Sequence, residues 1–588
     1  MQELGKRGRA DAEKFFARRI APALSPLPGA PFPFVADRAL TLALALESER
    51  GARRVVLLAL PELPRLVRAG KRRRFVLLED LVASQLARVF PGERPRASVV
   101  FRVLRNANIA ITDDVEDLLQ SVETELQRRE RREVVWLEAE TEADADGHLL
   151  AWLVAQLGVA GDDVYVAPGP LQLADLLQLH ELDDDPALKD PPFRPSLPAR
   201  FAAGDDIFSV IRDGDVLLYR PYDSFAPVVE LLRAAAGDPH VVAVRQTLYR
   251  TDRGSPIVKA LAQAARAGKQ VTAVVELQAR FDEKKNITWA RHLEDAGVEV
   301  VYGLAGLKTH CKLCLVVRRE DGALRNYVHL STGNYNATTA RTYVDLDLFT
   351  CDPDFGADAA QLIDLLRGCS IATPWRRFVV APDDYQAWVL EKIERGTRNA
   401  EAGKPARIVA KLNALADPLV IDALDRAGAA GVRVELLVRG ICCLVPRENV
   451  TVTSVVDRFL EHARVFELEN GGETEVWISS GDWMPRNFVR RIEVAFPVLD
   501  PSLRARIADE ILPVAAADNV KSWTLQPDGR YRRARASDRP VRSQEVFIRA
   551  AAAASASTPA PRDGRSSAGR SSRPSSKRGR RGAPRGRA

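Results

Sequence analysis

The sequence lacks the features that would place the chain in a membrane or build it around disulfide bonds. It contains no run of about 18 apolar residues, which excludes a transmembrane helix. The first residues, MQELGKRGRADAEKFF, include no apolar stretch of the kind that a secretory signal carries. Six cysteines in 588 residues are too few for a disulfide scaffold. Reduced thiols and a cytoplasmic location are therefore expected, with attachment to a membrane surface left open.

The two common glycine-rich nucleotide-binding loops are also missing. Neither G-x-x-x-x-G-K-[ST] nor G-x-G-x-x-G occurs, so P-loop and Rossmann sites have no support. Cys311 and Cys314 form a C-x-x-C motif, but strand alternation would place them on opposite faces. Because no second pair of ligands stands at zinc spacing, a metal–thiolate site is not expected.

Positive charge is concentrated at the C-terminal end of the chain. The formal net charge is +6, but ten Lys/Arg residues and one Asp between Arg562 and Arg587 contribute +9, so the remainder carries −3. The segment from about 546 to 588 has almost no large apolar residues and is expected to be disordered. A solvated tail is the favoured interpretation, and binding of a polyanion is the alternative.

The chain is long enough for about four domains. The first part of the chain contains both Leu/Val runs and helical patterns, and it ends in a Pro- and Asp-rich stretch. From about residue 197, predicted strands alternate with predicted helices. We therefore predict a multidomain α/β chain that consists of a mixed α/β part (1–196), two α/β domains (197–378 and 379–545) and a basic tail (546–588).

The two α/β domains contain a repeated helix–strand unit. Ser255 is a fitting N-cap, Gly268 stands where a helix C-terminal glycine is expected, and a Val-rich segment typical of a buried strand follows. Residues 420–439 repeat this pattern with Gly431 in the place of Gly268. Two units of one architecture are therefore predicted.

An arginine and a histidine follow the repeated strand in both copies. Arg280 is followed 30 residues later by His310, and Arg439 is followed 23 residues later by His462. If the strand ends of the two units converge on one cleft, two Arg–His pairs would meet there.

The segment 303–345 carries the densest set of candidate catalytic groups. His310 and Lys312 alternate on a predicted strand and would share one face, and a polar turn with Gly333 and Asn334 follows. Neutral imidazole can attack phosphorus, while fixed cations and amide donors hold the phosphoryl oxygens. An isolated strand histidine is usually a satisfied core residue, but the lysine, the turn and the second Arg–His pair favour a phosphoryl-transfer site.

Arginines are expected to complete this site. Arg250 and Arg280 end neighbouring predicted strands, and their planar guanidinium groups suit bidentate phosphate binding, with salt bridges to nearby acids as the alternative. Arg464 takes the place of the lysine in the second copy. The second copy is expected to place four polar residues in the cleft: Arg439, His462, Arg486 and Arg491.

Several longer blocks resemble the first family of polyphosphate kinases. The blocks, in the family's order, include ARFDE, GLKTHCKL, HLSTGNYN, TYVDLDLFT, VRGICCL and SSGDWMPRN. The resemblance is strong over about residues 197–535 and weaker over about 15–196, which is similar to the family's head domain. It implies two phospholipase-D-like α/β domains and the absence of the family's N-terminal helical domain.

The resemblance also implies roles for individual residues. His310 matches the histidine that becomes phosphorylated, and His462 matches the second catalytic histidine, which contacts ATP. Tyr343 and Arg439 match ATP-binding positions. Besides these, two further residues are expected to bind ATP or phosphate: Lys312 and Arg491.

Two further arginines match positions associated with the family's magnesium site. They are Arg250 and Arg280. Because a guanidinium group cannot ligate a cation, we expect both to clamp phosphate, with Mg²⁺ held mainly by phosphate oxygens and water.

The activity that the resemblance implies is reversible transfer of the γ-phosphate of ATP to inorganic polyphosphate, with release of ADP, by a homo-oligomer. One alternative is a phosphodiesterase of the phospholipase-D type. It is disfavoured because Val317 stands where an Asp is usual and Arg464 replaces the second lysine. The other is a non-catalytic polyphosphate-binding remnant, which the intact set of candidate residues disfavours.

Overall fold

The computed structural model describes most of the chain. The described residues are 4–70, 73–106, 124, 128, 132–140, 148–249, 251, 254–277, 283–304, 306–370, 373–535 and 539–557. Within these ranges, three large β-sheets of six, eight and nine strands are flanked by helices, which confirms the predicted mixed α/β multidomain architecture. None of the described helices has the length and apolarity needed to cross a bilayer.

The six-stranded sheet is formed by the first part of the chain. Its strands, in spatial order, are Pro26–Pro28, Arg53–Ala59, Thr41–Ser48, Glu93–Arg105, Val134–Glu140 and Val164–Ala167. Its main helices are Lys6–Phe15, Leu78–Ser84 and His148–Leu157. The strand Thr41–Ser48 is apolar along most of its length because both of its faces are covered: Leu42 belongs to one core cluster and Ala43 to another.

The eight-stranded sheet lies mainly in residues 197–378, which we call the first half of the duplicated region. Its path runs through Glu299–Val301, Gln270–Val275, Val241–Leu248, Lys312–Glu320, Ala323–Ser331, Tyr343–Thr350 and Leu460–Glu461, and Val216–Arg220 pairs with Tyr343–Thr350. Its main helices are Ile207–Arg212, Ala226–Gly237, Pro256–Arg266, Glu283–Asp295 and Pro353–Leu366.

The nine-stranded sheet lies in residues 379–545, which we call the second half. Its path runs through Val379–Val380, Val494–Pro497, Glu473–Ser479, Arg464–Asn470, Ala406–Leu412, Arg433–Val438, Val450–Val455, Ser522–Leu525 and Tyr531–Arg533. Its helices include Tyr385–Glu401, Pro418–Ala429, Pro485–Val489, Pro501–Ala505 and Leu512–Ala516.

The predicted helix–strand repeat is present in both halves. The Ser255 hydroxyl accepts a hydrogen bond from the amide of Ile257 at the start of its helix. Gly268 and Gly431 end the two helices with φ angles of +81° and +96°, a left-handed conformation that glycine adopts without strain. Parallel strands follow both glycines.

The two halves exchange short strands. Lys308–Thr309 of the first half pairs in parallel with Arg491–Ile492 of the second half. Leu460–Glu461 of the second half pairs in parallel with Tyr343–Val344 of the first half. A shared apolar core with residues of both halves lies between the sheets. The duplicated region is therefore one interlocked unit in which each half completes a sheet edge of the other.

A C-terminal helix, Ser543–Ser557, corrects the prediction of disorder from residue 546. Its Phe547 ring lies 5.0 Å from that of Tyr219 and 5.1 Å from that of Tyr222, centroid to centroid. Ala551 is buried in the same shared core. The sequence pattern was misleading because the helix is Ala-rich and has only a few apolar anchors. Residues 558–588 lie outside the described residues.

Two truncations test the contribution of this helix to stability. Removal of residues 558–588 should leave the midpoint of thermal unfolding unchanged. Removal of residues 543–588 should lower it by several degrees, because Phe547 and Ala551 would leave the core and expose Tyr222. Differential scanning calorimetry of both truncated proteins beside the full chain checks this, and equal midpoints would contradict it.

Candidate functional site

His310 lies at a break between two strands rather than within one strand as predicted. Lys308–Thr309 ends before it and Lys312–Glu320 begins after it. The backbone amides of His310 and Cys311 both donate to the carbonyl oxygen of Ile492, at 3.0 and 2.9 Å. The Nδ1 atom of His310 lies 2.8 Å from Oε2 of Glu493, which belongs to the second half.

His462 occupies the equivalent break in the second half. It lies between Leu460–Glu461 and Arg464–Asn470, and its amide donates to the carbonyl oxygen of Val344 at 3.1 Å. Its Nδ1 atom lies 2.7 Å from Oδ1 of Asp345, which belongs to the first half. Each histidine is therefore paired with a carboxylate of the opposite half.

Hydroxyl groups fix both carboxylates in the same way. The Thr332 hydroxyl donates to Asp345 at 2.6 Å and accepts from the amide of Leu346 at 3.0 Å. The Ser480 hydroxyl donates to Glu493 at 2.5 Å and accepts from the amide of Val494 at 3.0 Å. These repeated contacts give the site an approximate twofold symmetry.

Glycine follows each of these hydroxyl residues because the carboxylate lies too close for a side chain. A Cβ atom on Gly333 would lie 2.3 Å from Oδ2 of Asp345 and 2.6 Å from Nη2 of Arg220. A Cβ atom on Gly481 would lie 3.1 Å from Cγ of Glu493 and 2.8 Å from a ring carbon of Tyr385. The predicted Gly-Asn turn thus positions the carboxylate rather than only presenting amide donors.

Burial keeps both histidine rings neutral. It lowers the pKa of His310 to about 3 and that of His462 to about 4, and the paired carboxylates oppose this only in part. Burial would raise the pKa of Glu493, but the hydrogen bond from His310 and the nearby cations outweigh it, so this pKa lies below its usual range. The same balance, with His462 as the partner, lowers the pKa of Asp345. At neutral pH each Nδ1–H therefore donates to an ionised carboxylate.

The two histidines differ at their other ring nitrogen. Within the described ranges, no hydrogen-bonding group reaches Nε2 of His310, so its lone pair is free. Nε2 of His462 lies 3.2 Å from Nη1 of Arg464, which also donates to the His462 carbonyl oxygen at 2.8 Å. The geometry thus leaves the His310 lone pair available for attack and holds His462 beside a guanidinium group.

The predicted cation beside each histidine is present, but only the one beside His462 is paired with a carboxylate. Arg464 forms a two-point ion pair with Asp482, at 3.0 and 3.2 Å. Lys312 is 1% exposed, donates to the His310 carbonyl oxygen, and has no carboxylate within 4 Å among the described residues. Burial lowers the pKa of Lys312 to about 7. Asn334 stands at the position equivalent to Asp482, so the first half lacks one negative charge that an anion could supply.

Three other predicted residues lie around His462 and His310. The Tyr343 ring lies 5.3 Å from the His462 ring, centroid to centroid. Arg439 donates two hydrogen bonds to Oδ1 of Asn413, and burial and the nearby Arg464 lower its pKa. Nη1 of Arg491 lies 3.7 Å from Oε1 of Glu493. Arg486, also predicted in the cleft, is exposed on the helix Pro485–Val489.

The structure describes only some of the residues that were predicted to bind phosphate and metal. Arg250 and Arg280 lie outside the described residues. Among the described residues, no group of three or more His, Cys, Asp or Glu side chains could hold a metal ion. Asp345 and Glu493 are engaged by histidine and hydroxyl groups. As predicted, Cys311 and Cys314 face different cores.

Sequence reasoning missed the carboxylates Asp345 and Glu493. A signal for them does exist, because each acid stands twelve residues after the glycine of an S-x-G segment, at Gly333 and Gly481. The repeated Arg–His pairs end before these acids in both copies, at His310 and His462. The ion pair between Arg464 and Asp482 had no comparable pattern in the first half.

A Gly333→Ala variant tests the close approach of Asp345. The added methyl group must displace the buried carboxylate or Arg220, which should lower the free energy of unfolding by about 1–3 kcal/mol. Gly237→Ala is the matched control, because a Cβ atom there meets nothing within 4 Å. Urea unfolding of the two variants checks the difference, and equal stabilities would contradict the tight packing.

The neutral state of the histidines predicts a loss of stability in mild acid. Their folded pKa values lie below the unfolded value of about 6.5, so the unfolded chain binds more protons and stability falls as the pH drops from about 6.5 to 4. His310→Gln removes one of these groups and should make the fall shallower. Denaturant unfolding at several pH values checks this, and identical slopes for variant and wild type would contradict it.

Comparison with known families covers nearly the whole described region. A family profile described as "Polyphosphate kinase middle domain" matches residues 8–179. Profiles for polyphosphate kinase C-terminal domains 1 and 2 match residues 206–372 and 378–544. The crossed histidine–carboxylate pairs fall within the two C-terminal matches.

Individual relatives extend the match over most of both chains. The polyphosphate kinase of Prosthecochloris aestuarii is 43% identical over 92% of this chain and 78% of its own length. That of Streptomyces coelicolor is 44% identical over 93% and 75%. The crystal structure of polyphosphate kinase from Porphyromonas gingivalis superposes with a TM-score of 0.81 at 31% identity, over 94% of this chain and 84% of that one. The chain belongs to the polyphosphate kinase family.

Proposed function

We propose that His310 is the nucleophile of the ATP:polyphosphate phosphotransferase reaction that this chain, as a polyphosphate kinase, carries out. The observation that carries the assignment is the difference between the two Nε2 atoms. That of His310 is free among the described residues, and that of His462 faces Arg464. A neutral imidazole with Nδ1–H bound to a carboxylate is the form that can attack phosphorus.

In the proposed reaction, Nε2 of His310 attacks the γ-phosphorus of ATP. The new P–N bond forms as the bond to the β,γ-bridging oxygen breaks, and that electron pair leaves with ADP. The imidazole becomes positively charged on phosphorylation, and the carboxylate of Glu493 offsets this charge through Nδ1–H. In the second step a terminal oxygen of polyphosphate attacks the same phosphorus and the P–N bond breaks. The reverse sequence makes ATP.

The cations of the site are proposed to bind the phosphates. Buried Lys312 and half-buried Arg439 have no carboxylate within 4 Å among the described residues, and a shielded cation without a counter-ion favours an anionic ligand. Arg491 lies beside Glu493 and can contact a phosphoryl group on His310. His462 and Tyr343 are proposed to contact ATP and to assist the transfer.

Mg²⁺ is proposed to enter with the substrate. The described residues offer no carboxylate cluster for the ion, so phosphate oxygens and water would hold it. Arg250 and Arg280 are proposed to clamp those phosphates. The homo-oligomer, the contact of the basic tail with polyanions and the domain boundaries at 196, 378 and 545 stay predictions.

The two alternative functions are not favoured. Neither a phospholipase-D-type phosphodiesterase nor a non-catalytic binding protein agrees with the matches to polyphosphate kinases over most of the chain. The intact histidine–carboxylate pairs of both halves also argue against a loss of catalysis.

His310→Ala tests the nucleophile directly. The variant should remain folded but show no acid-labile, base-stable protein label from γ-labelled ATP and no labelled polymer, because the attacking nitrogen is gone. His292→Ala, on an exposed helix face, is the matched control and should keep both. A folded His310→Ala protein that still makes polymer would disprove the assignment.

A further inference from the structure

The start of the C-terminal helix Ser543–Ser557 holds the strand that precedes His462. This strand, Leu460–Glu461, is only two residues long, and one of its edges pairs with Tyr343–Val344. On that edge Leu460 and His462 donate their amides to the first half. The polar groups of Phe459 point to the other edge and need a different partner.

Gln544 supplies that partner with its side chain. The Phe459 amide donates to Oε1 of Gln544 at 2.8 Å, and Nε2 of Gln544 donates to the Phe459 carbonyl oxygen at 2.8 Å. The side-chain amide thus replaces a neighbouring strand at this point. Gln544 is 1% exposed, so water does not compete for these bonds.

The same amide also holds Glu461, the residue before His462. Nε2 of Gln544 donates its second proton to Oε1 of Glu461 at 2.7 Å. Oε2 of Glu461 lies 2.9 Å from Nζ of Lys411. With one acceptor and two donors used, the amide of Gln544 is satisfied in only this orientation, because a flip would place its NH₂ group against the Phe459 amide.

The residues around Gln544 are themselves anchored. The amide and hydroxyl of Ser543 donate to Oδ2 of Asp518 at 2.7 and 2.8 Å. Arg542 forms a two-point ion pair with Asp457, at 2.7 and 2.6 Å, and Asp457 lies two residues before Phe459. Residues at the helix start therefore bind the segment 457–461 through several hydrogen bonds and an ion pair. Gln544 makes the contacts nearest to His462.

The strand that precedes His310 is held in a comparable way by its own half. There the amide of Thr309 donates to Oε2 of Glu276, which is buried at the end of the strand Gln270–Val275, at 2.7 Å. In the second half the backbone amide of Phe459 donates to the side chain of Gln544, which lies at the end of the duplicated region. The C-terminal helix is thus part of the support of the site.

From these contacts we propose that Gln544 is a positioning residue for His462. It acts through Phe459 and Glu461 and touches no substrate. The proposal rests on the proposed role of His462 in phosphoryl transfer. Because the strand is so short, loss of the side-chain bridge removes three of the hydrogen bonds that fix its position and lets the imidazole move relative to Asp345.

Gln544→Leu keeps the size of the side chain and removes the bridge. We expect polymer synthesis to fall about 10- to 100-fold, as small displacements of a catalytic group do. We also expect amide hydrogen exchange in the segment 457–463 to rise at least tenfold while exchange in the rest of the second half stays unchanged. Arg549→Gln, at an exposed position of the same helix, is the matched control and should change neither quantity.

A charge exchange provides the second variant. Gln544→Glu places a carboxylate against Glu461, so synthesis should fall. Adding Glu461→Gln removes the repulsion and restores the hydrogen bond between positions 461 and 544, so synthesis should recover in part; the Phe459 carbonyl oxygen still lacks its donor, and the ion pair with Lys411 is lost. The proposal would be overturned if Gln544→Leu left synthesis or the exchange of segment 457–463 unchanged. It would also be overturned if exchange rose across the whole second half, or if the double variant showed no recovery of synthesis. Full activity of His462→Ala would instead refute the role of His462, whereas local exchange still reports on Gln544.

Discussion

Two carboxylates buried between the halves of the duplicated region determine how this protein is built. Asp345 and Glu493 are almost inaccessible to water, and an ionised carboxylate costs several kcal/mol to bury unless partners compensate it. Both find their histidine partner in the opposite half. The hydroxyl contacts, the close glycines and the exchanged strands all serve to keep these two pairs together. The same pairing that satisfies the buried charge also sets the tautomer that a nucleophilic histidine needs.

The two halves have diverged around this shared frame. Arg464 is paired with Asp482, but Lys312 has Asn334 at the corresponding position and no carboxylate within 4 Å among the described residues. A duplicated scaffold can thus supply two different environments. The one around Lys312 suits an anionic phosphoryl group, and the one around Arg464 already holds its own carboxylate. The difference arises from a few side chains and leaves the backbone contacts of the two sites alike.

The parts of the fold that the sequence predicted are those governed by local rules. The helix start at Ser255 and the helix ends at Gly268 and Gly431 depend on residues a few positions apart, and the structure confirms them. His310 was predicted within a strand, and its actual place at a strand break depends on a strand of the other half. The partnership with Glu493 depends on a contact between residues 183 positions apart, which no local pattern encodes. The C-terminal helix was missed for a similar reason. Its few apolar residues are buried only because they pack against distant residues, such as Tyr219 and Tyr222.

The exchange of short strands has a consequence for the order in which the protein can be made. While the ribosome synthesises the chain, the first half emerges with His310 and Asp345 unpartnered, since their partners are Glu493 and His462. The second half in turn needs Gln544, close to the end of the described region, to complete the edge beside its histidine. An incomplete nascent chain therefore holds no assembled site that could consume ATP. Assembly of the site is coupled to completion of the whole duplicated region.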